Sequence, residues 1–286
     1  GYGGTQSQWA SLVTPQGYFS LDYRNRKVYM VTDKFTDIGA AGLAKWFTDN
    51  IPYGLENYGI GDFDNPIVGV GFHAVWDEKY KRILLTKRDL VPTAAFITNY
   101  SNQSIQFNKV IGQYEIDNAS NPGSRATSIE WGNSNYFTKS GWTISYSPAT
   151  SSWVSFHDYI PYIYSYDKEH MLSMQDGGTE AEQNIFYEHV ETNDVGLFSN
   201  MLYPFEFEFV FNKAKDEDKV FYNFEYTADV YTSEKVVLHN QGFDSFFVYT
   251  THQLSGEEPL EYLINTRRVG NEWKVNKFRD IATLIT

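Results

Sequence analysis

Residues 74–86 read Ala-Val-Trp-Asp-Glu-Lys-Tyr-Lys-Arg-Ile-Leu-Leu-Thr, and this stretch decides the fold class. An apolar run ending at Asp77 is followed by a polar run and by a second apolar run that begins at Ile83. Two such runs joined by a short polar turn are typical of a β-hairpin. An aspartate at the start of the turn can accept hydrogen bonds from backbone N–H groups further along. The stretch therefore predicts a hairpin whose acidic residue has a structural role.

The same arrangement recurs along the chain, with Asp or Ser followed six positions later by a large apolar residue. The pairs are Asp22/Val28, Asp77/Ile83 and Ser147/Trp153, within residues 18–31, 74–86 and 142–156, and a shorter version joins Tyr164–Asp167 to Met171 and Leu172. The starts lie roughly 55 and 70 residues apart, a spacing that suggests β-propeller blades. The repeats thus predict a mainly β fold with propeller-like blades. Because the spacing is irregular, ordinary hairpins of a sandwich or barrel remain the alternative.

Two segments of the first 200 residues depart from this pattern. Residues 37–50 predict one short helix, because Asp37 can cap it and because Leu43, Trp46 and Phe47 share one face. Residues 115–140 are rich in Asn, Ser, Gly and Thr and predict a long surface loop of the kind that often makes contacts.

Residues 203–230 predict an additional antiparallel hairpin. Phe205–Phe209 alternates Phe with Glu, so one face is apolar and the other charged, and Val220–Tyr226 returns after the polar run Asn212–Lys219. We expect propeller-like blades in residues 1–200. Residues 201–286 form a hairpin-rich segment that either continues the propeller or makes a small second domain.

Composition narrows the function classes. Aromatic residues make up 17% of the 286 residues, which favours sheet because aromatic rings fit pleated, half-buried surfaces. The net charge is −13, with 23 basic residues scattered among 36 acidic ones. A protein that grips nucleic acid clusters Lys and Arg against the phosphates, so we expect no DNA- or RNA-binding surface. A wall past which DNA slides without specific binding is compatible with this acidity.

Other classes are excluded by what the sequence lacks. It has no cysteine, which excludes disulfides, zinc-thiolate sites and thiol nucleophiles. No apolar run approaches the ~20 residues of a membrane span, and no signal peptide is visible, so we expect no membrane insertion.

The candidate catalytic acids are four aspartates. A glycosidase needs two carboxylates about 5–10 Å apart in a cleft. Three of the four occupy the repeated turn positions, where backbone capping explains them without catalysis. We therefore expect no catalytic residue and no enzyme. The four are Asp22, Asp77, Asp158 and Asp167.

The sequence signal for a metal site is equally weak. None of the six histidines forms a His-x-x-x-His or His-x-His pair, and His157-Asp158 is interpreted as the end of a strand. Asp216–Asp218 lacks the glycine and the terminal glutamate of an EF-hand loop. Gly69–Gly71 precedes a strand rather than a helix, so it is no phosphate cradle. We expect no metal and no cofactor. The histidines are His73, His157, His170, His189, His239 and His252.

Several stretches resemble the muzzle, or tail nozzle, proteins of crAss-like short-tailed bacteriophages. That family similarly shows a hairpin, a capping motif and then a Trp-Phe helix, although here Ile38 is followed by Gly39 rather than by Ser. A pattern of Trp, Ser-Phe, Asp/Tyr and Pro resembles its propeller strands. The matching stretches are Gly17–Asp22 with Lys27–Tyr29, Thr36–Ile38 with Gly42–Phe47, Gly141–Ser147 with Trp153–Pro161, Val220–Tyr226, and Asn276–Asp280.

The resemblance implies a structural virion protein at the distal end of a short tail. Its copies are expected to form a ring, about six in number, around the DNA exit channel, next to neighbouring tail proteins. It implies assembly in the cytoplasm of the host bacterium, a role in DNA ejection, and no catalytic residues. The abrupt start and end suggest one piece of a longer protein.

Two other functions remain open from the residues alone. A carbohydrate-binding or glycoside-hydrolase-like β-propeller acting on gut glycans would need two or three carboxylates and exposed aromatic rings in a central funnel. A surface adhesin or lipoprotein ectodomain is the third possibility, although no targeting segment supports it.

Overall fold

The computed structural model describes residues 4–56, 64–67, 69–100, 105–108, 113–118, 121–129, 133–167, 170–174, 185–189, 196–198, 201–210, 223–232, 234–250, 253–275 and 283–284. The chain divides into two compact units. Unit 1 comprises residues 1–191 and 196–203, and unit 2 comprises residues 192–195 and 204–286.

Unit 1 is built almost entirely from antiparallel strands, with two short helices. In chain order its elements are β1 (Ser11–Thr14), β2 (Gly17–Asp22), β3 (Lys27–Val31), β4 (Phe35–Asp37), α1 (Ala44–Asn50), β5 (Gly71–Asp77), β6 (Arg82–Arg88), β7 (Leu90–Pro92), α2 (Ala94–Tyr100), β8 (Ile105–Asn108), β9 (Gln113–Asn118), β10 (Asn121–Ile129), β11 (Phe137–Lys139), β12 (Trp142–Ser147), β13 (Ser152–His157), β14 (Ile163–Asp167), β15 (His170–Met174), β16 (Phe186–Glu188), β17 (Leu197–Phe198) and β18 (Met201–Leu202). The prediction of a mainly β fold is confirmed.

Three sheets of unit 1 pack through two hydrophobic clusters. The first sheet has the strand order β1-β2-β3-β4, the central sheet β13-β12-β6-β5, and the third sheet β14-β15-β16. Phe72, Trp76 and Ile83 of the central sheet pack in one cluster with side chains of the first sheet and of α1. Val75 and Leu84 belong to the second cluster, with Met171 and Tyr164 of the third sheet.

Strands β5, β6 and β12 of the central sheet are therefore buried on both faces, whereas the edge strand β13 is partly exposed. Successive side chains of a strand point to opposite faces, which is why Trp76 and Val75 enter different clusters. Each fully buried apolar side chain of this size stabilises the fold by about 1.5–3 kcal/mol relative to an exposed one. Three stacked sheets are seen in the described part of unit 1, and a closed ring of blades is not.

The recurring hairpins are confirmed. Each pairs antiparallel around the predicted turn, and register partners include Asp22 with Lys27 and Asp77 with Arg82. The four hairpins are β2–β3, β5–β6, β12–β13 and β14–β15.

The helix predicted over 37–50 is shorter than expected. Asp37, the last residue of β4, is the register partner of Tyr29, and its carboxylate forms an ion pair with Lys27 Nζ at 3.0 Å. It is therefore not the N-cap residue of α1. Gly42 then takes a φ of +83°, a left-handed conformation that a right-handed helix cannot include. The helix consequently starts at Ala44, after Leu43, which makes no side-chain cap.

A second helix, α2, was not predicted. Its start is capped by Thr93, whose Oγ1 accepts a hydrogen bond from the backbone N–H of Phe96 at 3.2 Å. Thr is a good N-cap residue, so Thr93 was the sequence signal for this helix.

The long loop predicted over 115–140 is wrong. Most of this stretch lies in strands, because β9 pairs with β8 and β10, and β11 pairs with β7. The β9–β10 ladder has two register shifts, between Asn121 and Arg125 and between Arg125 and Thr127. Polar composition does not prevent pairing, since the ladder uses the N–H and C=O groups that every residue except proline supplies.

Unit 2 has shorter strands. They are β19 (Phe224–Thr227), β20 (Ser245–Phe246), β21 (Gln253–Leu254), β22 (Glu258–Pro259), β23 (Thr266–Val269), β24 (Glu272–Val275) and β25 (Thr283–Leu284). The largest sheet has the order β19-β24-β23, and two further pairs are β20–β22 and β21–β25.

The hairpin predicted over 203–230 falls partly outside the described residues, and the described part shows no pairing between its two arms. Residues 203–210 have no regular secondary structure, and β19 pairs with β24 instead. Tyr226 faces Trp273 across that ladder, with their rings stacked at 6.0 Å, and Trp273 is buried. The alternation of Phe and Glu specifies a face but not a partner, and burial of Trp273 favours β24. The predicted turn and residues 220–222 lie outside the described residues.

The helices in the described part of the chain are all too short to cross a membrane.

Candidate assembly surfaces

The aspartates at the hairpin turns accept hydrogen bonds from backbone N–H groups of the same turns. Asp22 accepts hydrogen bonds from the Asn25 backbone N–H at 3.0 Å, from Asn25 Nδ2 at 2.6 Å and from the Gly4 N–H at 3.2 Å. Burial would raise the pKa of Asp22, but these hydrogen bonds outweigh it and hold the pKa below its ordinary value. The predicted capping role is confirmed for this residue.

Asp77 and Asp167 repeat the arrangement. Asp77 Oδ1 accepts from the Tyr80 N–H at 3.2 Å, and its Oδ2 is 3.0 Å from Arg82 Nε. Asp167 Oδ1 accepts from the His170 N–H at 3.0 Å. Asp158 lies exposed in the bend after β13. Three of the four candidate acids are thus bound to neighbouring groups of their own hairpins.

A further feature of these turns was not visible in the sequence pattern. The last residue of each four-residue turn has a positive φ, of 55° at Arg26, 51° at Lys81 and 52° at Ser151. None of the three is glycine, although glycine adopts this conformation most easily. The three hairpins therefore share one turn geometry as well as one sequence pattern.

Three candidate histidines lie between the central and third sheets or beside them. His73 Nε2 donates to the Pro161 carbonyl at 2.6 Å, and its ring lies 4.6 Å from that of Tyr164. His189 Nε2 lies 2.8 Å from Ser173 Oγ, and the His157 ring is 5.1 Å from that of Tyr159. The structure thus gathers His73, His157 and His189 in the interior of unit 1.

Burial controls the ionisation of these side chains. It lowers the pKa of His73, of His157 and of His189 to about 4 in each case, because a charged imidazolium is poorly solvated there. All three are accordingly neutral near pH 7. Neighbouring Arg82 lowers the pKa of His157 and His189 further.

The other histidines do not join them. His170 is exposed and its Nδ1 is paired with Glu188 Oε1, and His239 is exposed in unit 2. His252 and Asp216–Asp218 lie outside the described residues. Within the described ranges, no three His, Asp or Glu side chains are grouped so that they could hold a metal ion.

An apolar groove lies at the free edge of the central sheet. It is a cavity of about 260 Å³ between residues 41–43, which precede α1, and β13 with its neighbour Ile144. β13 is an edge strand, and its Val154 and Phe156 are 49% and 56% exposed. The ring of Trp46 in α1 packs edge-on against the ring of Phe156, with ring centres 5.1 Å apart. We call this surface, formed by residues 41–43 and 153–156, the β13 groove.

Residues 204–210 of unit 2 form a second exposed apolar surface, which we call the Phe segment. Phe205, Phe207 and Phe209 are 76%, 67% and 52% exposed, and Val210 is 91% exposed. The rings contact unit 2 through roughly parallel stacking, with centre distances of 6.4 Å from Phe205 to Phe243 and from Phe209 to Phe224. The Tyr249 hydroxyl also donates a hydrogen bond to the Glu208 carboxylate. The alternation of apolar and charged side chains was predicted from the sequence, whereas the described residues show no strand partner for the segment.

Comparison with known proteins bears on this second surface. Residues 196–280 match the family described as the crassvirus muzzle protein C-terminal domain. The matched range includes the Phe segment, β19 and β24. A comparison with curated proteins finds no match. This match, which covers residues 196–280, confirms the resemblance to muzzle proteins of crAss-like phages that was inferred above.

Proposed function

We propose that this chain, whose residues 196–280 belong to the family of crassvirus muzzle protein C-terminal domains, forms part of the tail nozzle through which DNA leaves a short-tailed phage. The family indicates a structural protein of the phage virion that assembles with tail proteins. The match over residues 196–280 is the observation that carries the proposal. Assembly would take place in the cytoplasm of the host bacterium, before the particle is released.

Copies of the chain are proposed to form a ring of about six around the exit channel. Exposed apolar surface supports this self-association. Monomeric soluble proteins rarely expose apolar patches larger than a few hundred Å², and larger ones mark interaction sites. The Phe segment and the β13 groove are two exposed apolar surfaces on one chain.

The acidity of the chain supports a conduit that does not bind DNA. A net charge of −13 repels phosphate at short range, and salt screens that repulsion over about 10 Å. DNA would therefore slide past the wall without being held. The three stacked sheets of unit 1 are proposed to serve as propeller-like blades of the wall, since each covers the apolar face of its neighbour.

We further propose that the protein is not an enzyme. The main alternative, a glycan-binding or glycan-cleaving propeller, needs carboxylates directed into a cleft. Asp22, Asp77 and Asp167 instead accept backbone hydrogen bonds of their own turns. No other feature of the described residues favours the alternative.

Location in the phage particle tests the proposal. Antibodies against the chain, coupled to gold, should label the distal end of the tail in electron micrographs of purified particles, and a reconstruction should show a ring there. Absence of the protein from purified particles by mass spectrometry would refute the proposal. Hydrolysis of a gut glycan that is lost in Asp77→Asn or Asp158→Asn would favour the alternative.

A further inference from the structure

The Phe segment has no regular secondary structure and no strand partner among the described residues. No ladder includes residues 204–210 among the described residues, and the backbone beyond Pro204 contains no proline up to Val210. Aromatic side chains bury about 150–250 Å² each, so the three partly exposed phenylalanines present about 300–500 Å² of apolar surface. Such a segment is chemically suited to add to the edge of a sheet.

The β13 groove offers the complementary surface. β13 has β12 on one side only, so its other side is a free sheet edge within the described residues. Val154 and Phe156 present apolar side chains beside a cavity that Ile144 and Trp153 also line, and Val154 lies at the register shift of the β12–β13 ladder. Phe205, Phe207 and Phe209 recur at every second residue, so in an extended strand their side chains would share one face and lie about 6.5–7 Å apart.

We propose that the Phe segment of one copy of this chain packs into the β13 groove of a second copy and adds a strand at the free edge of β13. The inference rests on the proposed ring-forming role and names the surfaces that make the ring. Donor and acceptor are different parts of the chain, so every copy can give one segment and receive another. Such a head-to-tail contact repeats from copy to copy and closes into a ring when the rotation allows it.

The size of the contact predicts how the assembly behaves. Two surfaces of this extent bury on the order of 1,000 Å² together, below the range of about 1,200–2,000 Å² for stable protein pairs. A single contact is therefore weak, and a closed ring, in which each copy makes two contacts, is the stable species. We expect the isolated protein to be monomeric when dilute and to associate at high concentration.

Crosslinking between single-cysteine variants tests the contact. The natural sequence has no cysteine, so each variant carries one thiol. Ser155→Cys lies between Val154 and Phe156, and Glu206→Cys lies between Phe205 and Phe207, all on exposed positions. A short bis-maleimide added to an equal mixture of the two variants should give a crosslinked dimer at least tenfold more efficiently than either variant alone.

The matched control moves the cysteine of unit 2 from the Phe segment to another exposed position. Glu234→Cys is also exposed in unit 2 but lies outside the Phe segment. Its mixture with Ser155→Cys should give only the background yield. Equal yields from the Glu206→Cys and Glu234→Cys mixtures would refute the proposed contact.

Removal of the apolar side chains gives an independent measurement. The triple variant Phe205→Ser, Phe207→Ser and Phe209→Ser should sediment as a monomer at concentrations where the natural chain associates, with an unchanged far-UV circular dichroism spectrum. The double variant Leu263→Ser and Ile264→Ser, also exposed in unit 2, should associate as the natural chain does. Association of the triple variant at the natural level would contradict the inference.

These outcomes separate the inference from the proposed function. If gold labelling places the protein at the tail tip while the crosslink and the triple variant behave as background, the ring uses other surfaces and only the inference fails. If crosslinking succeeds while purified particles lack the protein, the contact is correct and the nozzle function fails.

Discussion

Unit 1 and unit 2 place similar aromatic-rich sequence in opposite environments. In unit 1, strands β5, β6 and β12 of the central sheet are buried on both faces, and rings such as Phe72 and Phe19 are fully buried. In the described part of unit 2, the only buried apolar side chains are Trp273 and Val275. Alternating aromatic residues therefore produce a core only where a second sheet covers them.

This difference indicates where each unit obtains its stability. Burial of apolar surface is the dominant favourable term in folding, and unit 1 obtains it within the chain. Unit 2 exposes Leu263 and Ile264 as well as the Phe segment, and several of its strands have only two residues. Its remaining apolar surface is available for burial against other proteins.

The largest expected effect is a core substitution in unit 1. Phe72→Ala should lower the free energy of unfolding by about 3–5 kcal/mol, because it removes a buried ring and leaves a cavity. Urea denaturation followed by circular dichroism measures the loss. Phe207→Ala, in the exposed Phe segment, is the matched control and should change the stability of the dilute monomer by less than about 0.5 kcal/mol. Equal losses in both variants would remove the distinction between the units.

The second largest expected effect is a loss of stability of unit 1 at low pH. The pKa of His73 is about 4 in the folded chain, against an ordinary value of 6.5. Between these two pH values, His73 is protonated in the unfolded chain and neutral in the folded chain. The stabilising contribution is complete above about pH 6.5 and is lost as the pH falls towards 4. The loss from His73 alone is on the order of 3 kcal/mol.

The control for this pH dependence is His73→Gln, which retains an N–H donor for the Pro161 carbonyl but does not titrate. Its stability between pH 7 and pH 4.5 should fall less steeply than that of the natural chain in the same denaturation experiment. Parallel pH profiles would show that His73 does not contribute.

The smallest expected effect concerns the shared turn geometry. Ser151→Gly should stabilise the β12–β13 hairpin by at most about 1 kcal/mol, because glycine accepts the positive φ without strain. Ser152→Gly, one residue later in β13, should instead destabilise by about 0.5–1 kcal/mol, since glycine is unfavourable inside a strand. Differential scanning calorimetry would resolve the two, and a lower melting temperature for Ser151→Gly would contradict the prediction.

The hairpins could be predicted from the sequence because their determinants are local. Asp22 and Asp77 lie within a few residues of the N–H groups that they cap, and the apolar runs flank them directly. The acids could therefore be assigned a backbone role without knowledge of the fold.

The remaining elements depend on groups far away in the chain. β19 pairs with β24, which lies about fifty residues later, and nothing in the alternation of Phe and Glu identifies that partner. The Asn- and Ser-rich stretch that forms β9 and β10 is specified by backbone pairing rather than by composition. The β13 groove likewise needs residues 41–43 and 153–156 brought together by tertiary packing.

One end of the central sheet can accept new sequence. The β5–β6 turn and the β12–β13 turn lie at the same end of the sheet, because Ile83 and Tyr146 are register partners immediately next to them. Strands β5, β6 and β12 are buried, whereas residues 79–81 and 149–151 of these turns are exposed, so a tag, an epitope or a foreign domain can be accommodated there. Peptides inserted at 78–81 and at 148–151 would emerge side by side, which offers a paired attachment point for labelling the protein in the particle.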